Sequence, residues 1–121
     1  MLLIVDDDPM FLEQAENLLD SGRGVFFAGN AEQAKSLMRT VGAGFAVVMI
    51  DLDLPGQDGF SLIAEMRKHF PDLPIIAISG VCQPDVLASA KLLGAVDALQ
   101  KPISPEWKVR IARARAKVAQ G

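Results

Sequence analysis

The sequence predicts an open, doubly wound α/β domain: a five-stranded parallel sheet covered by helices on both faces. Three observations carry this expectation. Short apolar runs recur at Leu2–Val5, Val25–Ala28, Phe45–Ile50, Leu73–Ile78 and Ala95–Leu99, interrupted only by Pro74 and Asp97. Segments with helical spacing alternate with those runs. Several of these segments open on a capping residue, twice followed by proline. Strands apolar on both faces belong to a parallel sheet buried on both sides. Regular alternation of strand and helix then gives the α/β class.

Each helix has its own signals. Asp8-Pro9 supplies a cap acceptor and a proline at the first helical position, and Phe11, Leu12, Ala15, Leu18 and Leu19 follow on one face. Asn30 with Gln33 has the capping-box spacing ahead of Ala34, Leu37 and Met38. Asp58 caps a segment carrying Phe60, Leu62, Ile63 and Met66, with Gly56 and Gly59 read as turn residues. Another helix starts near Pro84 and stops before Gly94. Ser104-Pro105 repeats the cap-then-proline signal, and Trp107, Ile111, Ala114 and Val118 share a face beyond it.

Length and composition fit one domain over residues 1–121, half of it hydrophobic. A single cysteine, Cys82, excludes an internal disulfide framework and a cysteine-rich zinc site. No apolar run reaches the roughly 18 residues of a membrane span, and Asp6, Asp7 and Asp8 are unlike a signal peptide. A soluble cytoplasmic protein without a membrane partner is expected. The net charge of −3 conceals an asymmetry, since residues 101–121 carry +5 and residues 1–100 carry −8.

Ligands of open parallel sheets bind outside the carboxyl ends of the strands. The residues that follow the predicted strands are Asp6-Asp7-Asp8, then Asp51 and Asp53, then Ser79-Gly80, then Lys101-Pro102. Asp6, Asp7 and Asp51 gathered at one rim would repel one another unless a cation intervened. A hard divalent ion with oxygen ligands answers that need. Mg²⁺ takes one or two carboxylates, keeps several waters and accepts a phosphate oxygen. Lys101 and Ser79 then suit the same phosphate as a point charge and a hydroxyl donor. Asp51, at the tip of the middle run, is placed as the nucleophile that becomes an aspartyl phosphate.

These residues carry a resemblance. Asp6-Asp7 after "LLIV", Asp51 in "VVMIDLDLPGQDG", Ser79 in "IIAISG" and Lys101 in "GAVDALQKP" stand in the order and spacing of a known family. The chain resembles, over its whole length, the receiver domains of bacterial two-component response regulators, the CheY-like family. The resemblance implies strand order 2-1-3-4-5, the flavodoxin-like arrangement. It implies Asp51 as phosphoacceptor, Asp7 and Asp51 as Mg²⁺ ligands, and Asp6 as an outer-sphere partner. Asp53 would add its backbone carbonyl to the metal. Ser79 would bind the phosphoryl group, Lys101 would pair with it, and the Lys101–Pro102 peptide would be cis. The donor would be a sensor histidine kinase or a phosphotransfer protein. The chain would catalyse only its own phosphorylation and dephosphorylation.

Other residues have plainer readings. Asp8 and Asp58 are caps, His69 complements a helix end, Cys82 is a small loop or core residue, and Trp107 anchors the last helix. One position departs from the family pattern. Many receivers carry Tyr or Phe three residues before the lysine, a ring that swings inward on phosphorylation; this chain has Ala98 and no tyrosine. Output is therefore expected to run through the loop Gly80–Pro84 or through dimer contacts, with a homodimer on the 84–118 face as one form.

Three alternatives stand beside the phospho-accepting switch. A degenerate receiver would act as an unphosphorylated binding module, which Ala98 and Asp53 keep open. Asp-x-Asp in "IDLDLP" also resembles the nucleophile motif of haloacid-dehalogenase-type phosphatases, but it lies on the third apolar run and the chain has no room for a cap domain. A flavodoxin-like FMN carrier is opposed by three aspartates where a phosphate would bind. The downstream partner or effector is unassigned, for a stand-alone receiver and a receiver within a longer protein alike. Arg110, Arg113 and Lys117 share a helical face, open to an acidic partner, a dimer or solvent. Without a reading element, direct nucleic-acid binding is not expected.

Overall fold

A computed structural model describes residues 1–19, 24–41, 44–54, 56–80 and 84–120, with side chains through residue 116. Ten elements alternate: β1 (Leu2–Val5), α1 (Pro9–Leu19), β2 (Val25–Ala28), α2 (Ala31–Val41), β3 (Val47–Asp51), α3 (Gly59–His69), β4 (Ile75–Ser79), α4 (Pro84–Leu93), β5 (Asp97–Gln100) and α5 (Glu106–Gln120). The sheet is wholly parallel in the order β2-β1-β3-β4-β5. This is the expected doubly wound, CheY-like fold.

The pleat sorts the apolar runs into two cores. Leu3, Val5, Val48, Ile50, Ile75 and Ala77 point to one side, against Ala34 and Met38 of α2 and Leu62, Ile63 and Met66 of α3. Ile4, Val47, Met49, Ile76, Ile78 and Leu99 point to the other, against Phe11 and Ala15 of α1 and Trp107, Ile111 and Ala114 of α5. Successive side chains of a strand face opposite ways, so an unbroken apolar run fills both layers.

Three of the expected caps form. Oδ1 of Asp8 accepts from the Met10 amide at 3.1 Å, Oδ1 of Asn30 from Gln33 at 2.8 Å, and Oδ1 of Asp58 from Ser61 at 2.8 Å. Gln33 departs slightly from a capping box: its Oε1 accepts from the amide of Gly29, at 2.7 Å. Three strands start later than their apolar runs. Phe45, Leu73 and Ala95 are buried in the lead-in to β3, β4 and β5 without belonging to them. Pro55, Cys82 and the centre of the Gly80–Pro84 loop lie outside the described residues, as do the side chains of Lys117 and Val118.

Candidate functional site

Strand order reverses at β1, whose neighbours are β2 and β3. Crevices of this fold open at such a reversal. Asp6 and Asp7 leave the end of β1, and Asp51 is the last residue of β3. Asp6, Asp7 and Asp51 each bring a carboxylate oxygen within 4.8 Å of the others'. Asp6 is fully buried, Asp51 is 4% exposed, and Asp7 faces solvent.

Local backbone holds two of these carboxylates in place. Oδ1 of Asp6 accepts from the Asp8 amide at 2.9 Å, and Oδ1 of Asp51 from the Asp53 amide at 3.1 Å. Lys101, just past β5, brings Nζ to 2.7 Å from Oδ2 of Asp6 and 3.6 Å from Oδ2 of Asp51. Apart from that ion pair, Oδ2 of Asp6 meets no hydrogen-bond donor among the described residues. Burial pushes the Asp51 carboxyl up to about 6, against the lowering effect of the Asp53 amide and of Lys101; the charges of Asp6 and Asp53 add to the rise. Burial opposes the charge on Lys101, but the Asp6 hydrogen bond and the two carboxylates outweigh it and raise its pKa.

Three crowded carboxylates, one with a buried oxygen held by the Lys101 ammonium, form an all-oxygen donor set. That chemistry fits a hard divalent cation such as Mg²⁺. Ser79 is the last residue of β4, 1% exposed, and its carbonyl accepts from the Lys101 amide at 2.8 Å. The Lys101–Pro102 peptide is cis.

The family model of the response regulator receiver domain matches residues 2–112. The chain belongs to this family. A transcriptional regulatory protein of Pseudomonas aeruginosa, AruR, is 34% identical over 116 residues, which are 93% of this chain and 47% of that protein. MalR of Bacillus subtilis is 32% identical over 106 residues, covering 87% and 45%. The crystal structure of the receiver domain of NtrX from Brucella abortus is 29% identical with a TM-score of 0.86, and the match covers 96% of this chain and 98% of that one. The chain spans about half the length of the two curated relatives.

Within this receiver, the structure brings Asp6, Asp7, Asp51 and Lys101 together, with Ser79 at the neighbouring strand end. Asp53 contributes differently. Its side chain is exposed and outside the carboxylate cluster, while its amide anchors Asp51. The role expected of it concerns its carbonyl oxygen.

Two contributors escaped the sequence reading. Gly59 was expected to serve a turn. Gly56 does so, with φ of 77°, but Gly59 answers a different need. A Cβ there would lie 2.2 Å from the Asp51 carbonyl oxygen and 2.5 Å from Cα of Leu52. The start of α3 therefore rests directly on the backbone that carries Asp51. The second is Phe11, whose ring lies 4.5 Å from Nζ of Lys101. A glycine followed by a helix and a phenylalanine on an apolar face give no hint of either contact.

The basic face of α5 is narrower than its sequence suggests. Arg110 donates to both carboxylate oxygens of Asp97, at 2.6 and 2.5 Å, and lies 3.7 Å from Glu106. This pair also accounts for Asp97, the polar break in the fifth apolar run. Among the described residues no helix is long and apolar enough to cross a membrane.

Proposed function

We propose that residues 1–121 form one phospho-accepting receiver domain. Asp51 takes a phosphoryl group from a sensor histidine kinase or phosphotransfer protein, in a Mg²⁺-dependent transfer. The observation that supports this most is the carboxylate cluster of Asp6, Asp7 and Asp51 with the Lys101 ammonium 3.6 Å from Asp51.

A carboxylate oxygen of Asp51 attacks phosphorus, and the bond from phosphorus to the donor's imidazole nitrogen breaks with its electron pair left on nitrogen. Asp7 and Asp51 would hold the ion by their carboxylates, Asp53 by its carbonyl, and Asp6 from the outer sphere. When bound, Mg²⁺ neutralises charge on the phosphoryl oxygens. Lys101 adds a positive charge on the same side, and Ser79 donates its hydroxyl. Burial makes Asp51 a poorly solvated carboxylate, and its Oδ1 is already oriented by the Asp53 amide. Hydrolysis of the aspartyl phosphate resets the protein, so the chain acts as a switch rather than on a separate substrate.

The response to phosphorylation departs from the commonest pattern. Ala98 is buried, pairs with Ala77 of β4 and has no ring to move. Movement of Ser79 and the segment after it, or self-association, then has to carry the signal. A homodimer on the 84–118 face is supported by the exposed Leu92 and Val109. The downstream partner or effector domain is unassigned, and the reading places the protein in the cytoplasm.

The test is incubation with acetyl phosphate, with and without Mg²⁺, followed by intact mass and peptide mapping. One phosphoryl group on Asp51, only with Mg²⁺ and absent from Asp51→Asn, is expected. An unmodified wild-type chain, or a label elsewhere, defeats the reading.

A further inference from the structure

The Lys101 ammonium lies 2.7 Å from Oδ2 of Asp6, 3.6 Å from Oδ2 of Asp51 and 4.5 Å from the centroid of the Phe11 ring. We infer that Phe11 is a positioning residue for the phosphoryl transfer: its ring face keeps the Lys101 ammonium beside Asp51 once the acidic cluster holds a cation. The inference rests on the phospho-acceptor reading above.

The two carboxylates that attract Lys101 are the groups that a divalent cation also claims. With a cation among them, their pull on the ammonium weakens, and the two positive charges repel. The ring is exempt from this competition. A hard, hydrated ion seeks oxygen ligands, whereas an aromatic face attracts an ammonium through its quadrupole. The attraction between Phe11 and Lys101 therefore persists in the state in which the lysine is needed.

The ring is itself held. Phe11 is 3% exposed and belongs to the core between the sheet, α1 and α5. Trp107 of α5 packs against it at a centroid distance of 5.8 Å and an interplanar angle of 54°. Phe11 is thus packed against one ring while its own ring carries a cation above it. Packing alone would explain the Phe11–Trp107 contact. It does not require an ammonium over the ring.

The test separates shape from charge. Phe11 is replaced site-specifically by phenylalanines bearing one, two or three ring fluorines, which preserve shape and weaken the quadrupole, and separately by leucine. At saturating Mg²⁺, the rate at which acetyl phosphate labels Asp51 should fall stepwise with fluorination. Phe11→Leu should fall about fivefold to twentyfold, between what an exposed and a fully desolvated cation–π contact supplies. Thermal midpoints of the fluorinated forms should stay at the wild-type value. Independently, proton–carbon NMR of the Mg²⁺-loaded chain should show the Lys101 ε-methylene shifted upfield by the ring current, and Phe11→Leu should abolish that shift.

Labelling rates indifferent to fluorination and to Phe11→Leu overturn the inference. So does an ε-methylene with no ring-current shift in the presence of Mg²⁺. A wild-type chain that accepts no label at all defeats the phospho-acceptor reading instead. The ε-methylene shift then decides by itself whether Phe11 holds Lys101.

Discussion

Lys101 lies closer to Asp6 than to Asp51, at 2.7 Å against 3.6 Å. In the metal-free protein its first task is thus to compensate a fully buried carboxylate. Removing it strands that charge. Lys101→Ala should lower the metal-free stability by about 2 kcal/mol, less than for a wholly buried pair because the lysine is 21% exposed. Urea unfolding with and without Mg²⁺ checks this. Mg²⁺ should recover more stability in the variant than in the wild type, since it replaces the missing positive charge. Equal metal-free stabilities would remove the structural role.

Asp51 sets a pH dependence. Burial raises its carboxyl to about 6, so the folded chain binds that proton more tightly than the unfolded chain does. The resulting stability is complete below the ordinary carboxyl range near 4 and is lost as pH rises through 6, on the order of 3 kcal/mol in the metal-free protein. Mg²⁺ binding runs the other way, because it needs the ionised carboxylate. Calorimetric titration should give an affinity about tenfold weaker at pH 5 than at pH 7.5. A flat affinity across that interval would contradict the assignment. Asp51→Asn should remove the Asp51 part of the stability slope.

Gly59 and Gly80 should respond oppositely to alanine. At Gly59 the added Cβ meets the Asp51 carbonyl at 2.2 Å, whereas at Gly80 it meets nothing within 4 Å. Gly59→Ala should cost about 2–3 kcal/mol and slow the labelling of Asp51, because α3 can yield only by displacing the backbone that bears it. Gly80→Ala should stay within about 0.5 kcal/mol. Denaturant midpoints for the two variants check the contrast, and similar values would refute it.

The Arg110–Asp97 pair ties α5 to β5. Arg110 holds Asp97 ionised against its burial, so the Asp97 pKa lies below the ordinary range. A depressed carboxyl contributes stability above the ordinary pKa and loses it as pH falls through the depressed value. A double-mutant cycle on Arg110→Met and Asp97→Asn should give a coupling of about 1–2 kcal/mol at pH 7 that shrinks in acid. A coupling near zero would make the pair a surface contact.

How far the sequence could be read varies from residue to residue. Leu2–Val5 and Val25–Ala28 are strands to the residue, because apolarity and strand pairing coincide there. At Phe45, Leu73 and Ala95 they separate: these side chains are buried by the ends of the sheet without pairing in it. The convergence of Asp6, Asp7, Asp51 and Lys101, with Ser79 at a neighbouring strand end, was legible because parallel topology forces strand ends onto one rim. Gly59, Phe11 and Arg110 were not, since each acts on a residue that only folding brings near. The 13-residue step from Asp97 to Arg110 leaves no periodic trace.

The most direct measurement is a crystal structure of the chain with Mg²⁺ and beryllofluoride, a mimic of the phosphoryl group. Continuous density from an Asp51 carboxylate oxygen to beryllium is predicted, with one ion shared by the carboxylates of residues 7 and 51 and the Lys101 ammonium on the fluorides. Carboxylates at 7 and 51 that share no ion, or an ammonium at 101 turned away from them, would contradict the account.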